Sequence, residues 1–306
     1  MHKHEVRVFT IIFFLIVPAL LFSDALPGPT VSAEWLNRHL DDRDIRIIDV
    51  SFDKESFLSG HVPNAVFLDW RGDLADPDEK HYSVLAREDF ERLMRRIGVT
   101  RDTQLVFYDD FNNRLAIRAL WVAEFYGHAG TAILEGGIRA WKARGYRTTG
   151  NSPEFPGTRY TVKDVHEGLN VDKDYVLNNL VNPNVMFVDG RSAGMYIGFI
   201  AGREIHTGET IARSGHLPGA VNQPWKDHMD SQSKFLDKTA LETMYTNRGI
   251  NRDLDAVVFY CNEGVHAAFD WFVAAKILGY ENAKIYDGSM SEWAEDANLP
   301  LKIGLD

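Results

Sequence analysis

The sequence predicts an α/β protein built from two tandem copies of one domain, each a mostly parallel sheet flanked by helices on both faces. Three observations lead there. The first is an internal repeat. "VFYDDFNNRLAIRALWVAEFYGHAGTAILEGGIRAW", starting at Val106, aligns without a gap on "VFYCNEGVHAAFDWFVAAKILGYENAKIYDGSMSEW", starting at Val258, at a constant shift of 152 residues. A self-match of this length decides architecture before any single element does. It pairs Tyr108 with Tyr260, Gly127 with Gly279, Ile133 with Ile285, Gly136 with Gly288 and Trp141 with Trp293. The second observation is a set of short apolar runs, and the third is a set of glycine-ended helical stretches between them.

The apolar runs are "IRIIDV", "LVFYD" and "TAILEG" in the first copy and "VMFVDG", "AVVFYC" and "AKIYDG" in the second. Continuous apolar runs of this length fit strands buried on both faces. "LAIRALWVAEFYG" and "AAFDWFVAAKILGY" read as helices that stop at or near a glycine. Strand alternating with helix implies a parallel sheet covered on both sides. Further islands keep the same order in both halves: "IIDV" with "FVDG", "SGHVPNAV" with "SGHLPGAV", and "GVTRD" with "GINRD". The segment 149–161, "TGNSPEFPGTRYT", is rich in turn-forming residues and is the expected linker. The domains are accordingly expected at 26–148 and 162–306.

Residues 1–25 are expected to be a signal peptide. Lys3 and Arg7 precede a mostly apolar run of 15 residues, Val8 to Phe22, and Ser23-Asp24-Ala25 supplies small residues where a signal peptidase reads. The run is shorter than the roughly 20 residues that span a bilayer. The expectation is an exported, periplasmic protein, tethered to the membrane if the segment is retained. The net charge of −11 argues against nucleic acid or an anionic membrane surface as partner.

Cys261 is the only cysteine in 306 residues, so it makes no disulfide within its own chain. It stands after a run of strand formers, where open α/β sheets gather ligands, and the short loop "CNEGVH" leads from it to a helix expected near Ala267. Backbone N–H groups of a loop curling into a helix N-terminus make an anion cradle, which is expected to lower the thiol pKa. Gly264 suits the positive φ or close approach such a loop requires. In the first copy Asp109 occupies the slot of Cys261.

From about Thr30 to Leu301 the chain resembles the tandem-domain rhodaneses, the thiosulfate and 3-mercaptopyruvate sulfurtransferases. "SGHLPGAVNQPW" is similar to the family's "GHIPGA" segment. "VVFYCNEGVHAA" resembles its strand ending in a catalytic cysteine, and "IYDGSMSEW" its closing "YDGSWxEW" segment. The resemblance implies an inactive first copy and a catalytic second copy. Cys261 would be the nucleophile, taking a sulfane sulfur from thiosulfate, or from 3-mercaptopyruvate, as a persulfide. It would then pass that sulfur to cyanide, a small thiol or a protein acceptor. The loop residues Asn262, Glu263, Gly264, Val265 and His266 would bind substrate mainly through their backbone. No metal and no cofactor is implied.

The chain departs from the family pattern at three places. Asn262 and Glu263 follow the cysteine, Met195 stands where an arginine often binds the donor, and "FIAGREIHTGETIAR" has no close counterpart, leaving Arg203 or Arg213 as substitutes. A carboxylate at ~7 Å opposes a thiolate by roughly 0.6–2.4 kcal/mol for effective dielectrics of 80 to 20, so Glu263 is expected to point into water or to be offset, in part by a protonated His266. Trp225 is a candidate for the pocket wall or for interdomain core, and Arg191 for a structural ion pair more than for a donor ligand. His61 and His216, in matching turns of both copies, read as structural. Two other functions are weighed: a sulfur or thiol carrier or partner-binding module, and, with less weight, a cysteine-dependent phosphatase, which needs an arginine closing a longer loop.

Overall fold

The computed structural model describes residues 25–76 and 81–305. The expected signal segment therefore lies, apart from Ala25, outside the described residues. No described helix is long and apolar enough to cross a membrane.

The first copy runs β1 (Thr30–Val31), α1 (Ala33–Arg38), β2 (Ile45–Asp49), α2 (Lys54–Ser59), β3 (Val66–Phe67), α3 (Arg87–Arg96), β4 (Gln104–Tyr108), α4 (Arg114–Phe125), β5 (Thr131–Leu134) and α5 (Gly137–Ala143). The second repeats the series as β6 (Asn170–Val171), α6 (Lys173–Asn179), β7 (Val185–Asp189), α7 (Ala193–Tyr196), β8 (Val221–Asn222), α8 (Lys238–Asn247), β9 (Ala256–Tyr260), α9 (Val265–Phe272), β10 (Ala283–Tyr286) and α10 (Ser289–Trp293). Each copy holds a five-stranded sheet, ordered β1-β5-β4-β2-β3 in the first and β6-β10-β9-β7-β8 in the second. Every pairing between these strands is parallel, in register from Ile45 opposite Gln104 to Asp49 opposite Tyr108 and from Val185 opposite Ala256 to Asp189 opposite Tyr260.

The central strands show how apolar runs build layers. On β4, Leu105 and Phe107 face one way, Val106 and Tyr108 the other; on β9, Val257 and Phe259 oppose Val258 and Tyr260. Period-two alternation sends one set from each sheet into a single core shared by both copies, and the other set into a core private to each copy. The shared core contains α4 and α9 packed against each other, with Ala116, Ala119 and Ala123 on one and Ala267 and Ala268 on the other. A run of small side chains lets the two backbones approach closely.

One charged residue lies inside that interface. Arg118 of α4 is fully buried and binds Asp287 in bidentate fashion, at 2.5 and 3.0 Å, across the two copies. Asp287 also accepts from the Val84 backbone N–H at 2.9 Å. Between the copies, residues 145–166 form no helix or strand. They are nonetheless anchored, because Thr149 bridges to His61 and Tyr160 and Val162 are buried.

Removing Arg118 leaves a buried carboxylate without its cation, a change that costs about 3–5 kcal/mol. Arg118→Met is expected to lower the urea unfolding free energy by that order, and the double variant Arg118→Met/Asp287→Leu to recover most of it. Equal stability of Arg118→Met and the parent protein would contradict this account.

Candidate functional site

Cys261 follows the last residue of β9, the central strand of the second sheet, and α9 starts four positions later at Val265. The helix begins two residues earlier than the expected Ala267, because Gly264 turns the chain at φ +81° and serves as its N-cap. Glycine is required twice over at that point: a Cβ there would lie 2.2 Å from Asp287 Oδ1. From the opposite side Ser289 secures the loop. Its hydroxyl accepts from the Cys261 and Gly264 N–H groups at 3.1 and 3.2 Å and donates to Tyr286 O at 2.8 Å. Ser289 adopts φ +50°, a strained region for a residue with a side chain, and the three hydrogen bonds hold it there.

The Cys261 sulfur faces the backbone N–H groups of Ala267, Glu263 and His266, so the cradle expected from the sequence is formed. Its effect on the thiol is different from the expectation. Cys261 is 1 % exposed and borders the shared core. Burial pushes its pKa up, the amides pull it back only in part, and the charge of Glu263 adds to the rise.

The first copy shows what the cradle is shaped to hold. Asp109, in the cysteine's slot, directs Oδ1 to the N–H groups of Phe111 and Asn113 at 2.6 and 2.7 Å, and Oδ2 to those of Leu115 and Ala116 at 2.9 and 3.1 Å. The amides of Phe111 and Leu115 are the repeat equivalents of those of Glu263 and Ala267. A buried carboxylate thus fills the first loop, its pKa raised to about 6 by burial. Its oxygens lie one bond beyond the γ atom, the position the outer sulfur of a cysteine persulfide would take.

Glu263 does not point into water; the structure corrects that expectation. It is 2 % exposed, accepts from the N–H groups of Ile205 and His206 at 2.5 and 3.2 Å, and meets His206 Nδ1 at 2.6 Å. Burial raises the pKa of Glu263, and the carboxylate raises that of His206. The segment without a family counterpart thereby brings a basic ring to the one acidic residue of the loop. Asn262 joins the same latch, donating to Arg203 O at 2.8 Å. Glu204, His206 and Glu263 bring their ligand atoms within 4.8 Å of one another, which is the candidate metal cluster found among the described residues.

His266 does not offset Glu263. Burial and the neighbouring cations Arg114 and Lys226 hold its pKa down at about 3, so the ring is neutral. It accepts from Arg114 Nη1 at 2.8 Å through Nε2 and stacks on Trp225 at 4.9 Å between centroids. Trp225 is 5 % exposed, lies in the shared core and is in contact with the loop histidine. Val265 is buried at the start of α9. Arg191 is buried in an ion pair with Asp189, at 2.6 Å between Nη2 and Oδ2, and donates to Gly215 O. Neither substitute arginine reaches the loop with its guanidinium. Arg213 binds the carbonyls of Trp293, Ala294, Asp296 and Leu299, and Arg203 that of Gly208. His61 and His216 are buried rings stacked on Phe57 and Tyr196.

Sequence reasoning missed Arg114, Arg118, His206 and Ser289. Arg118 carried a signal, a charge flanked by apolar residues from Leu115 to Ala123. Arg114 is the repeat equivalent of His266, but only the packing of one copy on the other reveals that the two meet.

Glu263→Gln removes the charge that adds to the rise of the Cys261 pKa and is expected to speed iodoacetamide alkylation of Cys261 at pH 8 by at least about threefold, the high-dielectric end of the Coulomb effect of one charge at ~7 Å. An unchanged rate in Glu263→Gln would remove this carboxylate from the electrostatics of the sulfur.

The rhodanese-like domain model matches residues 32–144 and 172–296. The chain is 34% identical over 282 residues to a thiosulfate sulfurtransferase of Corynebacterium glutamicum, covering 92% of each protein. It is 33% identical over 283 residues to the sulfur carrier protein TtuD of Thermus thermophilus, covering 92% of this chain and 98% of that one. Among solved structures, wild-type EanB superposes with a TM-score of 0.81 at 22% identity, over 91% of this chain and 70% of EanB, a likeness of fold. Two matched domains, and relatives aligned over nearly their full length, make this chain a two-domain member of the rhodanese family.

Proposed function

We propose that this sulfurtransferase takes the outer sulfur of thiosulfate onto Cys261 and delivers it to cyanide or a thiol. In the first step the Cys261 thiolate attacks the sulfane sulfur, a new S–S bond forms, the bond to the sulfonate sulfur breaks, and sulfite leaves with the electron pair. In the second, cyanide attacks the outer sulfur of the persulfide, thiocyanate departs, and the thiolate returns. The observation that carries this reading is the pair of matching amide nests. The first is filled by the Asp109 carboxylate, and the second surrounds a sulfur that gains an anionic terminal atom the same number of bonds from the backbone. The raised thiol pKa suits a persulfide, because a hydropersulfide is a stronger acid than a thiol and its terminal anion needs less help from the nest than a thiolate does. Thiosulfate is preferred over 3-mercaptopyruvate because a guanidinium with no carboxylate hydrogen-bonded to it among the described residues, that of Arg114, lies close enough to interact with the charge on Cys261. A doubly negative donor gains more from it than a singly negative one.

A second reading is favoured by the 1 % exposure of Cys261 and by likeness to a protein named as a sulfur carrier. In it, the persulfide is handed to a protein acceptor and small acceptors discharge it slowly. We also propose that the apolar N-terminal segment exports the protein; the N-terminal residue of the protein isolated from cells tests this, Leu26 being expected.

Mass spectrometry of the intact protein after incubation with thiosulfate is expected to show a gain of about 32 Da, one sulfur atom, and cyanide to remove it. With 3-mercaptopyruvate the gain is expected to be slower. Cys261→Ser abolishes both. Loading without discharge by cyanide would favour the carrier reading, and no loading from either donor would refute the proposal.

A further inference from the structure

The family's usual donor-binding arginine is missing here, its slot taken by Met195. The guanidiniums that interact with the charge on Cys261 are therefore compared by what else they hold. Arg118 is neutralised by Asp287 and Arg191 by Asp189, both in buried pairs. Arg114 is different. Its Nη1 donates to a neutral ring, His266 Nε2, and its buried Nε has no hydrogen-bond partner among the described residues. Its guanidinium carbon lies 3.4 Å from the centroid of Phe111 and 5.5 Å from that of Trp225, so aromatic faces hold it without cancelling its charge. The nearest acid by charge is Asp109, whose two oxygens are already taken by four backbone N–H groups.

We propose that Arg114, delivered across the domain interface by the first copy, binds the anionic end of the sulfur donor, the sulfonate of thiosulfate in particular. The inference rests on the reading of Cys261 as the sulfur acceptor and names the group that recognises what it accepts from. The geometry fits the chemistry. Arg114 opens α4, the helix that packs on α9, and its part-buried side chain reaches from the first copy to His266 on the catalytic loop. A guanidinium with a free Nε and a second terminal nitrogen offers the fork that a sulfonate accepts from two oxygens. Burial holds the pKa of Arg114 down at about 10, so it is cationic at neutral pH and gains from an incoming anion. Lys226, 5.7 Å from the Trp225 ring, adds an exposed positive charge beside the same aromatic wall. The first copy has thus lost its own anion nest to Asp109 but supplies the cation for the other.

The test separates binding from turnover. Thiosulfate is titrated calorimetrically into Cys261→Ser, which cannot react, with and without Arg114→Gln. The expected result is affinity at least tenfold weaker without the arginine, an intermediate affinity in Arg114→Lys, which keeps the charge and loses the fork, and full affinity in the charge-matched control Arg203→Gln. Equal binding by Cys261→Ser and Cys261→Ser/Arg114→Gln overturns the inference, whatever Cys261 does. In proteins that keep the cysteine, the rate of persulfide formation from thiosulfate relative to the rate of alkylation by neutral iodoacetamide is expected to fall at least tenfold in Arg114→Gln, and an unchanged ratio overturns the inference. A parent protein that loads sulfur from neither thiosulfate nor 3-mercaptopyruvate refutes the role of Cys261 instead, leaving the calorimetric result to decide the role of Arg114. Thermal melting of each variant identifies any that fails to fold, and Arg114→Lys then carries the comparison.

Discussion

The ion pair between Arg118 and Asp287 lies at the point where the two halves of the molecule and the cysteine loop meet. Arg118 comes from α4, and Asp287 follows β10, two residues before the Ser289 that holds the loop. Gly264 passes so close to the same carboxylate that no side chain fits. Domain docking and loop shape are therefore one problem. Moving α4 displaces Asp287, and displacing Asp287 disturbs both Gly264 and the amides that surround the sulfur. A pair with no access to water resists such movement because neither partner has another way to satisfy its charge.

The electrostatics of the loop follow from that enclosure. Burial works against a thiolate, and the backbone N–H groups work for any anion presented to them. An acidic residue two places after the cysteine would tip the balance further against the thiolate. The chain counters it with a segment that places two backbone N–H groups and the His206 ring on Glu263. The loop sequence and the irregular segment 199–211 thus need to be read together, each explaining an oddity of the other.

Much of this was legible in the sequence. The six apolar runs became the six longer strands, β2, β4, β5, β7, β9 and β10, because continuous burial on both faces leaves a continuous apolar signature. The edge strands β1, β3, β6 and β8 were not, since two residues carry no period. The place of Cys261 at the end of an apolar strand, and the glycine turn after it, followed from pattern and chemistry; that the strand is the central one came from the sheet order. Its depth did not, nor did the buried state of Glu263 and the neutrality of His266, because all three depend on what the other copy and the segment around His206 bring over the loop. Arg114 was invisible for the same reason: in the linear chain it belongs to the first copy, 152 positions before the residue it touches.

The carboxylate lodged in the first nest bears on capacity. A doubled fold suggests doubled cargo, yet one of its two receptacles is permanently stoppered by Asp109, and the chain contains a single thiol. On the proposed reading all labile sulfur borne by a polypeptide sits on Cys261, and the duplicate half is kept for the walls it builds around its twin.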